Sequence, residues 1–264
     1  MILRSCIIRS MNRINFFLRC FVPFVVLALA LKAVSSSIPV LSVEILMGFD
    51  ILFALALLLS KIFCKDKLLK NFPTLINCFC TFTFVVAVAV AKISLSEGHI
   101  EGKIPIVAIV GEWICKDDNI SGFIVALSLI VFILFSFKPF ILDINEDAEK
   151  AWRGQYDKIF EIDQKLRKNL IYESEAKAQK DGIKSDVNRY CNIAKAAKIF
   201  MLTINIFAFL LIINVAGGTA VGVLDFGMTW QESFNHFAMI FTGYSVMFAV
   251  PLIIVSVAFS VNNK

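Results

Sequence analysis

Apolar residues along this chain come in long runs divided by short charged stretches. They show neither the alternation of a half-buried strand nor, in these runs, the one-sided stripe of a surface helix. A helix that crosses a bilayer needs about 20 mostly apolar residues to span a hydrocarbon core of about 30 Å. Six stretches meet that length or nearly do: Phe16–Val34, Val43–Phe63, Thr74–Ile93, Ile120–Leu142, Ile199–Val215 and Ala238–Phe259. Ile104–Cys115 is too short and interrupted, and reads as a surface or re-entrant segment. Ala216–Phe226 is ambiguous in the same way.

Asp143–Lys198 is too polar for lipid, but its apolar residues recur at helical spacing. Trp152, Tyr156, Ile159, Leu166 and Leu170 form one stripe, and Ile183, Val187, Tyr190, Ala194 and Ala197 form another. Both fit amphipathic helices, with a break near Gly182. The predicted architecture is therefore an all-α integral membrane protein of about six spans. Residues 1–142 carry four spans, 143–198 a cytoplasmic helical hairpin, and 199–264 a two-span hairpin. The polar hairpin packs on itself or the membrane face, or offers a docking surface to a cytosolic partner.

Composition supports the membrane class. Of 264 residues, 58% are hydrophobic and 18% charged, against roughly 45–50% and about 25% in soluble domains. Mean hydropathy is +0.78. The net charge of +5 is spread between apolar runs, not gathered on the basic face that nucleic-acid binding requires. The distribution sets topology, because cytoplasmic loops collect Lys and Arg. Arg4, Arg9, Arg13 and Arg19 precede or open the first span, and Lys61, Lys65, Lys67 and Lys70 lie between spans two and three. The loop between spans five and six has Asp225 and Glu232 and no base. Both termini are thus expected in the cytoplasm. A basic start, an apolar core and the small residues after Lys32 leave open a cleaved signal peptide in place of span one.

Acids inside spans need a partner, water or a proton. Glu44 and Asp50 stand about 9 Å apart along span two, at about 1.5 Å per residue. Lys92, at the outer end of span three, is the expected partner of Asp50, as a structural ion pair or a proton- or ion-handling site. Glu44 reads as interfacial. The seven cysteines form no CxxC pair and no metal-ligand spacing with His99 and His236, so no metal or other cofactor is implied. No nucleophile elbow, zinc motif or phosphate loop occurs, which argues against an enzyme.

The most specific stretch is INVAGGTAVGVLDFGMTWQESF, residues 213–234. Thr229 and Glu232 form a T-x-x-E capping box that starts a helix. Gly217, Gly218, Gly222 and Gly227 allow a close helix approach or a tight turn. Pro251 interrupts the backbone bonding of span six. With Asn214 and Met228, this order and spacing resembles the FHIPEP family, the large export-gate subunit (FlhA/SctV type) of bacterial flagellar and type III secretion systems. The resemblance runs without a gap back to Leu170, through Glu173, Glu175, Ala176, Tyr190, Ala196 and Lys198. More weakly it reaches Pro39, with Phe72–Thr74 at the start of span three, Lys92 where the family has arginine, Glu44 and Asp50 on the family's Asp and Asn, and Asp163 near its signature loop.

The resemblance implies a bacterial inner-membrane export component. It would associate with lipid, copies of itself, other gate subunits and, where a separate chain supplies the family's large cytosolic domain, that chain. The family's acids in its Met-Asp-Gly turn and in span six stand here as Ala194 and Tyr244, its span-three arginine as Thr83, and Lys158 alone survives from its Pro-Gly-Lys-Gln run. These departures imply weak or absent proton coupling and keep open an alternative, a reduced non-exporting scaffold or regulatory homologue.

Overall fold

The computed structural model describes residues 40–63, 72–97, 105–116 and 119–260. The expected first span and its arginines lie outside the described residues, as do His99, Lys65, Lys67 and Lys70. Six helices follow one another: α1 (Val40–Phe63), α2 (Phe72–Glu97), α3 (Pro105–Cys115), α4 (Asn119–Arg167), α5 (Glu173–Leu224) and α6 (Trp230–Ser260). Among the described residues there is no strand. Five of the helices, all but α3, are long and apolar enough to cross a membrane. The chain is an all-α, multi-pass membrane protein, and each expected span from the second to the sixth lies within one of these helices.

The lengths of α4 and α5 change the picture of the polar segment. The 49 residues of α4 rise about 74 Å and the 52 of α5 about 78 Å, at about 1.5 Å each. A hydrocarbon core of about 30 Å holds less than half of either. Both helices therefore run unbroken from the apolar bundle into the charged segment, through residues 142–143 and 198–199. Ala216–Phe226, ambiguous in sequence, mostly continues α5 to Leu224.

The break between α4 and α5 is at residues 168–172 and not near Gly182, which lies inside α5. Asn169 takes a left-handed φ of 58°. The Leu170 N–H donates to the Lys165 carbonyl at 2.9 Å, and the Asn169 N–H to Leu166 at 3.0 Å. This is a Schellman stop, with Asn where Gly is commoner. Lys165 and Arg167 close α4 and Glu173 and Glu175 open α5, each sign matched to the helix dipole.

Ile144, Ala148 and Ile162 of α4 face Ala176, Val187, Ala194 and Ala197 of α5 along a buried seam. Lys180 and Asp163 pair across it, partly buried. The stripe expected on α4 is rotated: Trp152, Tyr156 and Leu170 are exposed, and Ile159 and Leu166 alone turn partly inward. Alanines on α5 let the helices approach closely, so smaller residues form the seam and the aromatics point away. Tyr190 of the second stripe is exposed as well.

The centre of the molecule is α6, which packs against α1, α3, α4 and α5. Phe237, Phe241, Tyr244, Phe248 and Leu252 are among its fully buried side chains. The surplus of phenylalanine is used here: Phe259 meets Phe72 of α2, Phe200 of α5 and Phe140 of α4 at ring-centroid distances of 5.4, 5.6 and 6.3 Å. The short α3 has 11 residues, about 16 Å of rise, roughly half a membrane core. It lies against α6 through two glycines. A Cβ at Gly111 would collide with the Met239 carbonyl, and one at Gly243 with that of Val107. Such contacts replace hydrophobic burial as the packing force between helices in lipid.

Candidate functional site

Three groups of polar residues are built by this frame. The first is inside the bundle. Asp50 of α1 is 1% exposed. Its Oδ1 accepts a hydrogen bond of 2.7 Å from the Thr83 hydroxyl of α2, while Oδ2 has no hydrogen-bond partner. Cys80 lies one helical turn before Thr83, within the field of Asp50 and within hydrogen-bonding reach of Thr203 on α5. Thr203 in turn donates to the Ile199 carbonyl at 3.0 Å. Three helices thus bring one acid, two hydroxyls and one thiol into an otherwise apolar interior.

The expected Asp50–Lys92 pair does not form. Lys92 is half-buried on α2 and stands nine residues beyond Thr83, about 13 Å along the helix. A lysine side chain cannot cover that rise, and the nearer hydroxyl takes the carboxylate. Glu44 does more than sit at an interface. Its Oε1 accepts a hydrogen bond of 3.0 Å from the Ile106 backbone N–H, in the first turn of α3. The carboxylate of α1 therefore caps another helix, meeting an amide that the helix itself cannot satisfy.

The second group is the turn from α5 to α6. Gly218 and Gly222 face α6, where a Cβ would strike Phe237 and the Ser233 hydroxyl respectively. The Ser233 hydroxyl donates to the Thr219 carbonyl at 3.0 Å. Gly217 points instead toward Leu95 of α2. Gly227 carries a φ of +66°, which L side chains rarely adopt, and the following Met228 N–H returns to the Gly222 carbonyl at 3.0 Å. Thr229 and Glu232 form the capping box in both directions: the Glu232 N–H donates to the Thr229 hydroxyl oxygen at 3.3 Å, and the Thr229 N–H to the Glu232 carboxylate at 3.0 Å. Asn214 is buried one turn earlier, with Oδ1 unpartnered. Pro251 is buried in the body of α6, away from the turn.

The third group is on the polar hairpin. Asp163 pairs with Lys180, Glu175 accepts from Gln179 at 3.3 Å, and Glu173 opens α5. Tyr190 lies under the Arg189 guanidinium at 5.9 Å, and Lys198 is exposed. These five candidates are spread along the hairpin and do not converge on one point.

Sequence reading missed Thr83, Cys80 and Thr203 as neighbours of Asp50, and missed Lys61 as a buried residue. A threonine on a membrane helix carries no signal by itself, since its hydroxyl can satisfy itself on the preceding turn. Among the described residues, no three His, Cys, Asp or Glu side chains gather into a metal-binding group.

Residues 153–261 match the model of the FHIPEP family. The chain is 25% identical over 237 residues to a "probable translocation protein y4yR" of Sinorhizobium fredii, covering 88% of this chain and 33% of that protein. It is 24% identical over 228 residues to a flagellar biosynthesis protein FlhA of Borreliella burgdorferi, covering 83% and 32%. With the FlhA of Salmonella typhimurium it shares 25% over 243 residues, covering 89% and 34%. The chain thus spans about a third of the length of the curated relatives it matches. No solved structure matches it. These matches bear out the resemblance read from the sequence, and the family segment begins within α4, upstream of Leu170.

Proposed function

We propose that this chain is the membrane portion of a protein-export gate of the flagellar or type III secretion kind, placed in the bacterial inner membrane. The observation that carries the reading is positional. The family segment, residues 153–261, takes in the outer part of α4, all of α5, the glycine turn with its capping box, and α6. It is the stretch that joins the polar hairpin to the central helix of the bundle.

In this reading both termini and the hairpin face the cytoplasm, following the lysines and arginines between spans. The divisions at 142/143 and 198/199 are changes of surroundings along continuous helices. Copies of the chain and other gate subunits assemble around it in lipid. Gly218, Gly222, Met228, Thr229 and Glu232 fix the outer hairpin, Asn214, Gly217 and Gly227 support it, and Pro251 shapes the body of α6. Asp163, Glu173, Glu175, Tyr190 and Lys198 serve the cytoplasmic hairpin. Capture of the full chain from native membranes, with mass spectrometry of what comes with it, tests the assignment. Co-recovery of export-gate or secretion subunits supports it, and their consistent absence overturns it.

One observation favours a second reading, a non-exporting scaffold of the same descent. Ala194 and Tyr244, which stand where the resemblance places acids, are both buried in apolar packing. Asp50 is the one fully buried acid among the described residues. Secretion of a reporter substrate with the chain present or deleted separates the two: unchanged secretion supports the scaffold.

A further inference from the structure

Lys61, in the last turn of α1, is the one buried cation among the described residues. It is 8% exposed, and its Nζ has no hydrogen-bond partner. The ammonium stands 4.0 Å from the centroid of the Phe72 ring. A cation–π contact offsets only part of the cost of drying an ammonium. Lys61 faces a cavity of about 70 Å³, lined also by Phe72, Ile144, Asp147, Arg189 and Phe259. That is several times the roughly 10–15 Å³ that one buried water needs on the same measure. Arg189 brings a second positive charge to the same space, felt at Lys61. Among the described residues Asp147 is the only acid in the lining, and it is exposed. The ion pairs among the described residues are Lys150–Glu146, Arg153–Glu149, Lys165–Glu161 and Lys180–Asp163. Neither Lys61 nor Arg189 takes part in one.

We propose that this cavity holds the phosphate of an anionic phospholipid headgroup from the adjoining leaflet. Two unpaired cations converging on one space call for an anion between them. The place in the fold selects its source. The α4 sequence changes from apolar to charged between Leu142 and Asp143, and Ile144 of the lining is the next residue. The cavity is therefore at the level where headgroups lie, between helices, as lipid-binding basic pockets do. On the same helical turn as Lys61, Ile62 and Phe63 are 45% and 77% exposed, so the outer face of α1 at this level is apolar and suits acyl chains, which free phosphate lacks. The Phe72–Phe259 contact holds the back of the cavity firm.

The test uses the full chain, delipidated in detergent. Phosphatidylglycerol, phosphatidylcholine and inorganic phosphate are added separately, with lipid retention read by native mass spectrometry and stability by thermal melting. Phosphatidylglycerol is expected to be retained and to raise the melting temperature, and the other two are not. Lys61→Gln and Arg189→Gln each weaken that retention roughly tenfold, the loss of one charge-assisted contact, and Lys61→Arg preserves it. Asp147→Asn leaves retention unchanged or stronger. Undiminished retention in both Gln variants overturns the site. Loss of retention in Asp147→Asn also overturns it, by making that carboxylate part of the structure's own pairing. Protection by inorganic phosphate equal to that by phosphatidylglycerol overturns the lipid as source. If Lys61→Gln does not fold, the exposed Arg189 carries the same comparison.

Discussion

Thr83 donates its hydroxyl hydrogen to Oδ1 of Asp50 across 2.7 Å, joining α2 to α1 where neither side chain meets solvent. Among the described residues Thr83 is the only donor to that carboxylate, whose other oxygen is unpartnered. Interhelical hydrogen bonds in membranes average about 0.6 kcal/mol and reach about 1.7. A bond to a buried acid belongs in the upper part of that range. Thr83→Val and Asp50→Ala are expected to destabilise singly and to show a coupling of about 1 kcal/mol in a double-mutant cycle. Thermal unfolding in detergent measures it, and simple additivity of the two losses contradicts the pairing.

The α3–α6 crossing should be intolerant of even one methyl group. Gly243→Ala and Gly111→Ala each force a backbone apart, and overpacking of this kind costs about 1–3 kcal/mol. Gly48 and Gly154 have open space around the same added atom. There an alanine should be neutral or stabilising by up to about 1 kcal/mol, the difference in helix propensity. Melting temperatures of the four variants make the comparison directly.

At the mouth of α6 the capping box predicts a smaller effect. Thr229→Ala removes one side-chain acceptor and should cost about 1 kcal/mol. Glu232→Gln keeps a reciprocal acceptor and should cost less. Hydrogen exchange of the amides at the start of α6 reports the fraying, and equal protection in Thr229→Ala and the unmodified chain contradicts it.

The position of the turn between α4 and α5 gives a third contrast. Asn169→Gly should be tolerated, because glycine takes a positive φ freely. Asn169→Ala should lose up to about 1 kcal/mol, because alanine lacks the short polar side chain that eases the left-handed conformation by local hydrogen bonding. Gly182→Ala, inside α5, should stabilise by about 0.5–1 kcal/mol. Limited proteolysis of the hairpin ranks them, and enhanced cleavage in Gly182→Ala instead places the turn there.

Much of this architecture could be read from the chain because lipid demands long apolar runs, and those runs lie within five of the described helices, marking α1 and α2 almost to their ends. The capping box was equally legible, since Thr229 and Glu232 bond within one turn. What sequence hid was relation at a distance. Gly182 looked like a stop because glycine breaks helices on average, whereas Asn169 made the stop through local bonds. Trp152 and Tyr156 looked like a core stripe, but the neighbouring helix offered alanines and packed elsewhere. Asp50 advertised a need for a partner without naming Thr83, and Lys61 passed for a topology signal because nothing local announced that Phe72 and Phe259 would enclose it.

The continuity of α4 and α5 across the water–lipid boundary has a mechanical side. Two paired rods, each about 75 Å long by their 49 and 52 residues at about 1.5 Å per residue, have no hinge at the level where their surroundings change. A push on the tip near Asn169 would arrive in the bundle as tilt or twist and could not be absorbed on the way. In α4 the place prepared to yield is Pro139, which lacks a backbone donor and stands just inside the oily end. The lever thus has its compliant point beside the phenylalanine cluster around Phe259, so force gathered in water would be spent on aromatic packing.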